Sequence, residues 1–222
     1  ALFLDIAGVG LLNCRCHPGL GSGHLPPVFR LGVLLAETSS MGSSPSLRPS
    51  LKGLVQIFTG DGKGKTSAAI GTVVRALGQG LRVCVVVFLK GGHPSGEWLF
   101  LSKIPDVKIA RFGLGTLIDP ANVKPEEKEQ AKQALATARE ALLSGNYDLV
   151  VLDEVNIAIG WKLVELNEVV KLIQDKPPNV ELILTGRYAD TKLVQLADLV
   201  TECLKIKHPY DEGTTARRGI DY

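Results

Sequence analysis

A chain of 222 residues, 45% hydrophobic and 22% charged, has room for one well-cored α/β domain with some length to spare. Its formal net charge of +2, with no clustering of lysine and arginine, excludes the electrostatic footprint of a nucleic-acid binder. No apolar run approaches the roughly 20 residues that cross a bilayer, so the expectation is a cytoplasmic protein with no membrane partner.

Residues 1–51 differ in character from the rest of the chain. They carry few charges, and 36–50 (AETSSMGSSPSLRPS) has the Ser, Pro and Gly content of a linker or disordered segment. The first residue is Ala1 and the only methionine is Met41, which leaves two readings. Either translation starts at Met41, or the stretch is a targeting segment, although the Arg-rich amphipathic helix of a transit peptide is lacking. Cys14, Cys16 and His17 lie together, but C-x-C is not the spacing of a structural zinc site. The expectation is an N-terminal extension over 1–51 that contributes no chemistry, and a single domain over 52–222.

From residue 54 onward, short apolar runs alternate with helical patterns. The first run, 54–59 (LVQIFT), leads straight into GDGKGKTS at 60–67, and an Ala-rich helix is expected over 65–78. Strand, glycine loop and helix in that order are the context of a phosphate-binding loop. Gly60, Gly62 and Gly64 let backbone N–H groups approach a triphosphate without an intervening Cβ. The free N–H groups at the helix start extend the anion site. Lys65 supplies a mobile positive charge for phosphate oxygens, Thr66 offers its hydroxyl to a divalent metal, and Lys63 is a second cation; Asp61 and Ser67 complete the loop. The common G-x-x-x-x-G-K-[ST] pattern would put a glycine at 59, where this chain has Thr59.

Further strands are expected at 83–89 (VCVVVFL), 107–110 (VKIA), 148–153 (DLVVLD) and 180–185 (VELILT), with 198–206 a candidate sixth. Helices are expected at 125–144, 162–174 and 190–197. The first opens with Pro125, Glu126 and Glu127 and ends before Ser144-Gly145-Asn146, the boundary signals of a helix. Cys84 and Cys203 read as small buried hydrophobes. Alternating strands and helices predict an α/β fold of the P-loop NTPase-like, RecA-like kind, a mostly parallel sheet with helices on both faces. In LVVLDE (149–154) the strand ends in Asp153 and Glu154, which places carboxylates at the carboxyl edge of the sheet beside the loop. Magnesium or manganese with ATP is the expected cofactor set; which carboxylate coordinates is left open.

The chain resembles the ATP:corrinoid adenosyltransferases. The matching stretches are TGDGKGKTSAAIGTVVRALG (59–78), FLKGGHPSGE (88–97), DLVVLDEVN (148–156), LTGR (184–187), LADLVTE (196–202) and KHPYDEGTTARRGIDY (207–222). They run in order through essentially the whole of 52–222, and Thr59 fits the family's G-x-G-K-G-K-T form. The resemblance implies transfer of the 5′-deoxyadenosyl group of ATP to the cobalt of a cob(I)alamin, cob(I)yrinic acid a,c-diamide or cobinamide-type corrinoid, with release of triphosphate, in adenosylcobalamin biosynthesis or salvage. It assigns Gly60 to Ser67 to the triphosphate, and Lys65 and Glu154 to catalysis. It pairs Thr66 with Glu154 as metal ligands and adds Arg75 and Arg187 as nucleotide contacts. His208, Asp211 and the tail through Tyr222 border the site on the same ground. The resemblance also implies a homodimer and a reducing flavoprotein partner that supplies cob(I). Where relatives carry a Phe and Trp pair near the corrinoid, this chain has Leu114 and Leu117, with only Phe112 aromatic. The competing reading is an ATP-hydrolysing RecA-like switch or motor, with Glu154 activating water; a third is a nucleotide-binding regulatory module without turnover.

Overall fold

The structure, a computed structural model, describes residues 52–92 and 95–222. The expected extension over 1–51, with its Cys14–His17 cluster, lies outside the described residues, as do His93 and Pro94. In chain order the elements are β1 (Val55–Thr59), α1 (Lys65–Gly78), β2 (Val83–Val87), α2 (Gly96–Leu101), β3 (Val107–Arg111) and α3 (Pro125–Leu143). Next come β4 (Leu149–Asp153), α4 (Val155–Gly160), α5 (Leu166–Gln174), β5 (Glu181–Thr185), α6 (Thr191–Leu196), β6 (Leu199–Glu202) and a 3-10 turn at Pro209–Glu212. The six strands form one sheet of order β3-β2-β4-β5-β1-β6, and every pairing is parallel. All five expected strands and the candidate sixth are present. Two short helices, α2 and α4, escape sequence reading because six residues span less than two turns and carry too little periodicity.

The sheet is covered on both faces, and the alternation of side chains decides which residue goes where. Val83, Val85, Val87, Val151 and Ile183 point toward α1 and α2, where Ala69, Val73, Trp98 and Leu101 meet them. Cys84, Val86, Val150, Leu152, Leu182 and Leu184 point toward α3 to α6. Burial on both faces is why β2 (VCVVV) and β4 (LVVLD) are continuous apolar runs with no polar alternation. Burial also pushes the Cys84 thiol up to about 11, so it behaves as a small hydrophobe. Strand β6, at one edge, is exposed along its length.

Two capping arrangements hold element boundaries. The backbone N–H of Lys124 donates to Oε2 of Glu127 at 2.8 Å, which closes the start of α3. The ammonium of Lys176 donates to the carbonyls of Gly53, Pro177 and Val180 at 2.8, 3.1 and 2.8 Å, tying the entry of β1 to that of β5.

The loops beyond β2 and β3 touch backbone to backbone. A Cβ on Gly91 would stand 1.6 Å from the carbonyl oxygen of Gly113. The N–H of Lys90 donates to Phe112 O at 3.0 Å, and Nη2 of Arg111 returns a bond to Lys90 O at 2.8 Å. Gly91→Ala must therefore separate these loops. It is expected to lower stability by about 1–3 kcal/mol, read from the urea midpoint at unchanged slope.

Candidate functional site

Helix α1 starts at Lys65 without a side-chain cap and with no acid in its first turn. Its orphan N–H groups thus open onto the loop that precedes it. Gly60 and Gly64 have φ of 96° and 122°, backbone states that side chains rarely adopt. Gly62 is constrained differently: a Cβ there would lie 2.5 Å from Leu204 O. Its N–H donates to Cys203 O at 2.7 Å, and the N–H of Cys203 donates to Thr59 O at 2.8 Å. The end of β6 thereby fixes the curve of the phosphate loop.

The carboxylate of Asp153, fully buried at the end of β4, is the centre of the polar network. Its Oδ1 accepts from the hydroxyl of Thr66 at 2.9 Å and from that of Thr185 at 2.7 Å. Its Oδ2 accepts from the ammonium of Lys90 at 3.0 Å. The Thr185 hydroxyl also receives the backbone N–H of Glu154 at 2.9 Å. Glu154 itself has φ 65° and ψ 17°, a left-handed conformation that costs a non-glycine residue on the order of 1 kcal/mol or more. That turn brings Oε1 to 3.3 Å from the Lys90 ammonium, while Oε2 is buried with no hydrogen-bond partner. Desolvation lowers the affinity of Lys90 for its proton, but Asp153 and then Glu154 outweigh it and hold the ammonium above the usual lysine range.

These donors suit a hard divalent cation. An unpartnered carboxylate oxygen, a hydroxyl and a second carboxylate are all oxygen ligands. Among the described residues no group of three or more His, Cys, Asp or Glu stands together. A cation here would therefore draw on few protein ligands, with phosphate and water completing its shell.

Two clefts flank the phosphate loop. The larger, about 800 Å³, is lined by Lys65, Thr66, Ser67, Lys90, Glu154 and the tail residues 219–222. Its outer wall includes Gly115, Thr116 and Leu117, the last fully exposed to solvent. Leu114 is exposed but does not line it, and Phe112 packs against the core. The smaller cleft, about 500 Å³, is basic: Lys63, Lys65, Arg187, Lys205, Lys207 and Arg217 line it with His208. Between the clefts the tail folds back, with Asp221 bonded to Lys63 and to Arg217. Hydrogen bonds from Arg217 and then Lys63 hold the Asp221 carboxyl well below the usual carboxylate range.

The residues singled out from sequence thus fall into three groups. Gly60, Gly62, Gly64, Lys65, Thr66 and Glu154 converge, with Ser67 exposed at the rim. Asp61 and Arg187 face the basic cleft, with Nε of Arg187 3.9 Å from an Asp61 oxygen. His208 lines the same cleft and accepts from Tyr210 N, while Asp211 pairs with Lys205 at 3.0 Å. Arg75 is placed apart, exposed in the last turn of α1 and about 15 Å along the helix axis from Lys65. The hydroxyl of Thr66, which the resemblance pairs with Glu154 as a metal ligand, donates here to Asp153. Lys90 and Thr185 are site residues that the sequence reading misses. Both lie in stretches that carry the resemblance, FLKGGHPSGE and LTGR, and each stands at or just beyond the carboxyl end of a strand in a parallel sheet.

A sequence-family model described as ATP:corrinoid adenosyltransferase BtuR/CobO/CobP matches residues 51–222. A corrinoid adenosyltransferase of Escherichia coli (strain K12) is 36% identical over 171 residues, covering 77% of this chain and 86% of that protein. One from Pseudomonas aeruginosa is also 36% identical, over 172 residues, with 77% and 84% covered. The corrinoid adenosyltransferase CobA of Salmonella typhimurium is 34% identical over 171 residues, with 77% and 86% covered.

The ammonium of Lys65 donates to Gly62 O at 2.7 Å, and burial holds its pKa below the usual lysine range, against the opposing pull of Glu154. A cation with a lowered pKa loses its charge at lower pH than a free lysine. Affinity for ATP, measured by calorimetry, should therefore fall as pH rises through an alkaline range below that of free lysine. In Lys65→Arg, whose guanidinium does not titrate there, the decline should flatten.

Proposed function

The chain belongs to the ATP:corrinoid adenosyltransferase family, and from that premise we propose how its residues divide the work of moving the 5′-deoxyadenosyl group of ATP to a reduced corrinoid. The observation that carries the reading is a single cleft. The phosphate loop, Glu154 and the exposed Leu117 all border it, with the buried Asp153 bonded to Thr66 behind its wall, so a triphosphate, its cation and an apolar macrocycle can meet there.

The cobalt of the cob(I) substrate is the nucleophile. Its electron pair forms the cobalt–carbon bond at C5′, the C5′–oxygen bond breaks, and that pair leaves on triphosphate. Cobalt passes formally from +1 to +3, and no proton has to be removed. The protein therefore needs no general base, and its task is alignment and charge. Alignment of this kind is worth up to about 7–11 kcal/mol in favourable cases. Gly60, Asp61, Gly62, Lys63, Gly64, Lys65, Thr66 and Ser67 hold the triphosphate through loop and helix N–H groups and the two ammonium groups. Thr66 and Glu154 hold Mg²⁺ or Mn²⁺, which when bound offsets the negative charge gathering on the leaving group. Asp153, by accepting from Thr66 and Thr185, orients the hydroxyl of the first and the backbone of Glu154. Arg187 reaches the phosphate chain from the basic side. Arg75 is a nucleotide contact on the ground of the family resemblance alone, since it lies about 15 Å along α1 from Lys65.

The domain over 52–222 carries this activity. The same reading brings with it a cytoplasmic setting and a reducing flavoprotein that delivers cob(I). The hydrolytic alternative is not favoured, since the relatives that match most of this chain are named for adenosyl transfer.

The decisive test is anaerobic: protein, ATP, Mg²⁺ and chemically reduced cob(I)alamin, followed by absorbance for the cobalt–carbon product, with cobinamide in parallel. Product should form with triphosphate in equal amount and should vanish in Lys65→Ala. ADP and phosphate in place of triphosphate would transfer the protein to the hydrolases.

Leu117 presents its apolar side chain where the macrocycle would sit. Covering a leucine stabilises a complex by about 1.5–3 kcal/mol. Leu117→Ser is thus expected to raise the KM for corrinoid about tenfold or more, leave the KM for ATP unchanged, and alter kcat little.

A further inference from the structure

Lys90 has no assigned part in the reaction, yet it is the cation closest to the acidic pair. Its ammonium stands 3.0 Å from Asp153 Oδ2 and 3.3 Å from Glu154 Oε1. Three features hold it there. Leu89, the preceding residue, has φ 64°, a left-handed turn that a leucine adopts only under constraint. The Lys90 N–H and carbonyl are both bonded at the end of β3, to Phe112 just beyond it and to the side chain of Arg111, its last residue. Finally, the pairing of Val87 with Asp153 in the sheet sets Lys90 just beyond the end of β4. The side chain is only about one-third exposed, at 37%.

Charge arithmetic at this point is simple. Two carboxylates alone would attract a divalent cation whether or not nucleotide were present. With the Lys90 ammonium between them, one of the two negative charges is neutralised, and a cation arriving without phosphate gains little. ATP brings its own phosphate oxygens and negative charge, which restore the attraction. We propose that Lys90 is a positioning residue that makes the metal site conditional on nucleotide: it neutralises the Asp153–Glu154 pair in the resting protein, so that the divalent cation enters only together with the triphosphate. This rests on the metal site proposed above.

The test reads metal binding, not turnover. Mn²⁺ retained with the protein is measured by equilibrium dialysis, with and without ATP, for wild type, Lys90→Met, Lys90→Ala and Lys90→Arg, each checked by thermal melting. Methionine keeps much of the apolar stem and removes the charge; alanine removes both. Without ATP, the Met and Ala variants should bind Mn²⁺ at least about tenfold more tightly than wild type, a gain of about 1.4 kcal/mol. The Arg variant should stay as weak as wild type. With ATP, wild type should bind Mn²⁺ well, and Asp153→Asn should not. Equal or weaker nucleotide-free binding in both uncharged variants would overturn the role of Lys90 while leaving the metal site standing. A wild-type protein that retains no more Mn²⁺ with ATP than ATP itself accounts for would overturn the site, and this proposal with it.

Discussion

The buried carboxylate of Asp153 is the constraint on which the site depends. A charge removed from water is costly unless it is paired and fully hydrogen-bonded. Here the compensation comes from three separate parts of the fold: the hydroxyl at the start of α1, the hydroxyl at the end of β5 and the ammonium beyond β2. Satisfying one group thus locks the phosphate loop, the central strands and the β2 loop into a single arrangement. The strained backbone of Glu154 comes from the same lock, since its N–H is held by Thr185 while the chain turns into α4.

Topology explains why these groups meet. In the order β3-β2-β4-β5-β1-β6, β4 has β2 on one side and β5 on the other, with β1 one strand further. All strands run the same way, so all their carboxyl ends lie along one edge, and Thr59, Val87, Asp153 and Thr185 stand there together. The loop beyond β3 reaches the same edge through its close approach to the β2 loop. Ligands of open parallel sheets gather at this edge for that reason.

The glycines of the phosphate loop serve two purposes. Close approach of backbone to phosphate is one. The other is packing against the protein itself, since Cβ atoms at Gly60 and Gly62 would fall within 2.5 Å of the carbonyls of Cys203 and Leu204. The edge strand β6, exposed along its length, is thus part of what shapes the anion site. On the far side of the loop the chain continues into the basic cleft and the returning tail. The loop therefore lies between a larger space that includes Leu117, Glu154 and Lys90 and a smaller, basic one that includes Arg187, Lys205 and Lys207, and its own Lys63 and Lys65 line both.

Much of this is legible in the residues alone. Period and apolar runs identify six strands and four helices, with α1 matching its expected bounds of 65–78 and β4 ending on Asp153 as expected. Those features are local, set by alternation, glycine positions and helix-boundary chemistry within a few residues. The loop lysine, the hydroxyl and the strand-end acids are visible on the same basis. The partnerships are not. That Thr66 meets Asp153, that Lys90 lies between the two carboxylates, and that Lys63 is held by Asp221 depend on strand order and on residues 63 to 158 positions apart. No local pattern encodes such separations. The placement of Arg75 makes the same point, since a helix rise of about 1.5 Å per residue carries it away from the loop. Which chemical groups the site contains is written in the chain's own short patterns. Which of them share a hydrogen bond is settled by the packing of a parallel sheet, because that packing brings distant strand ends to one edge.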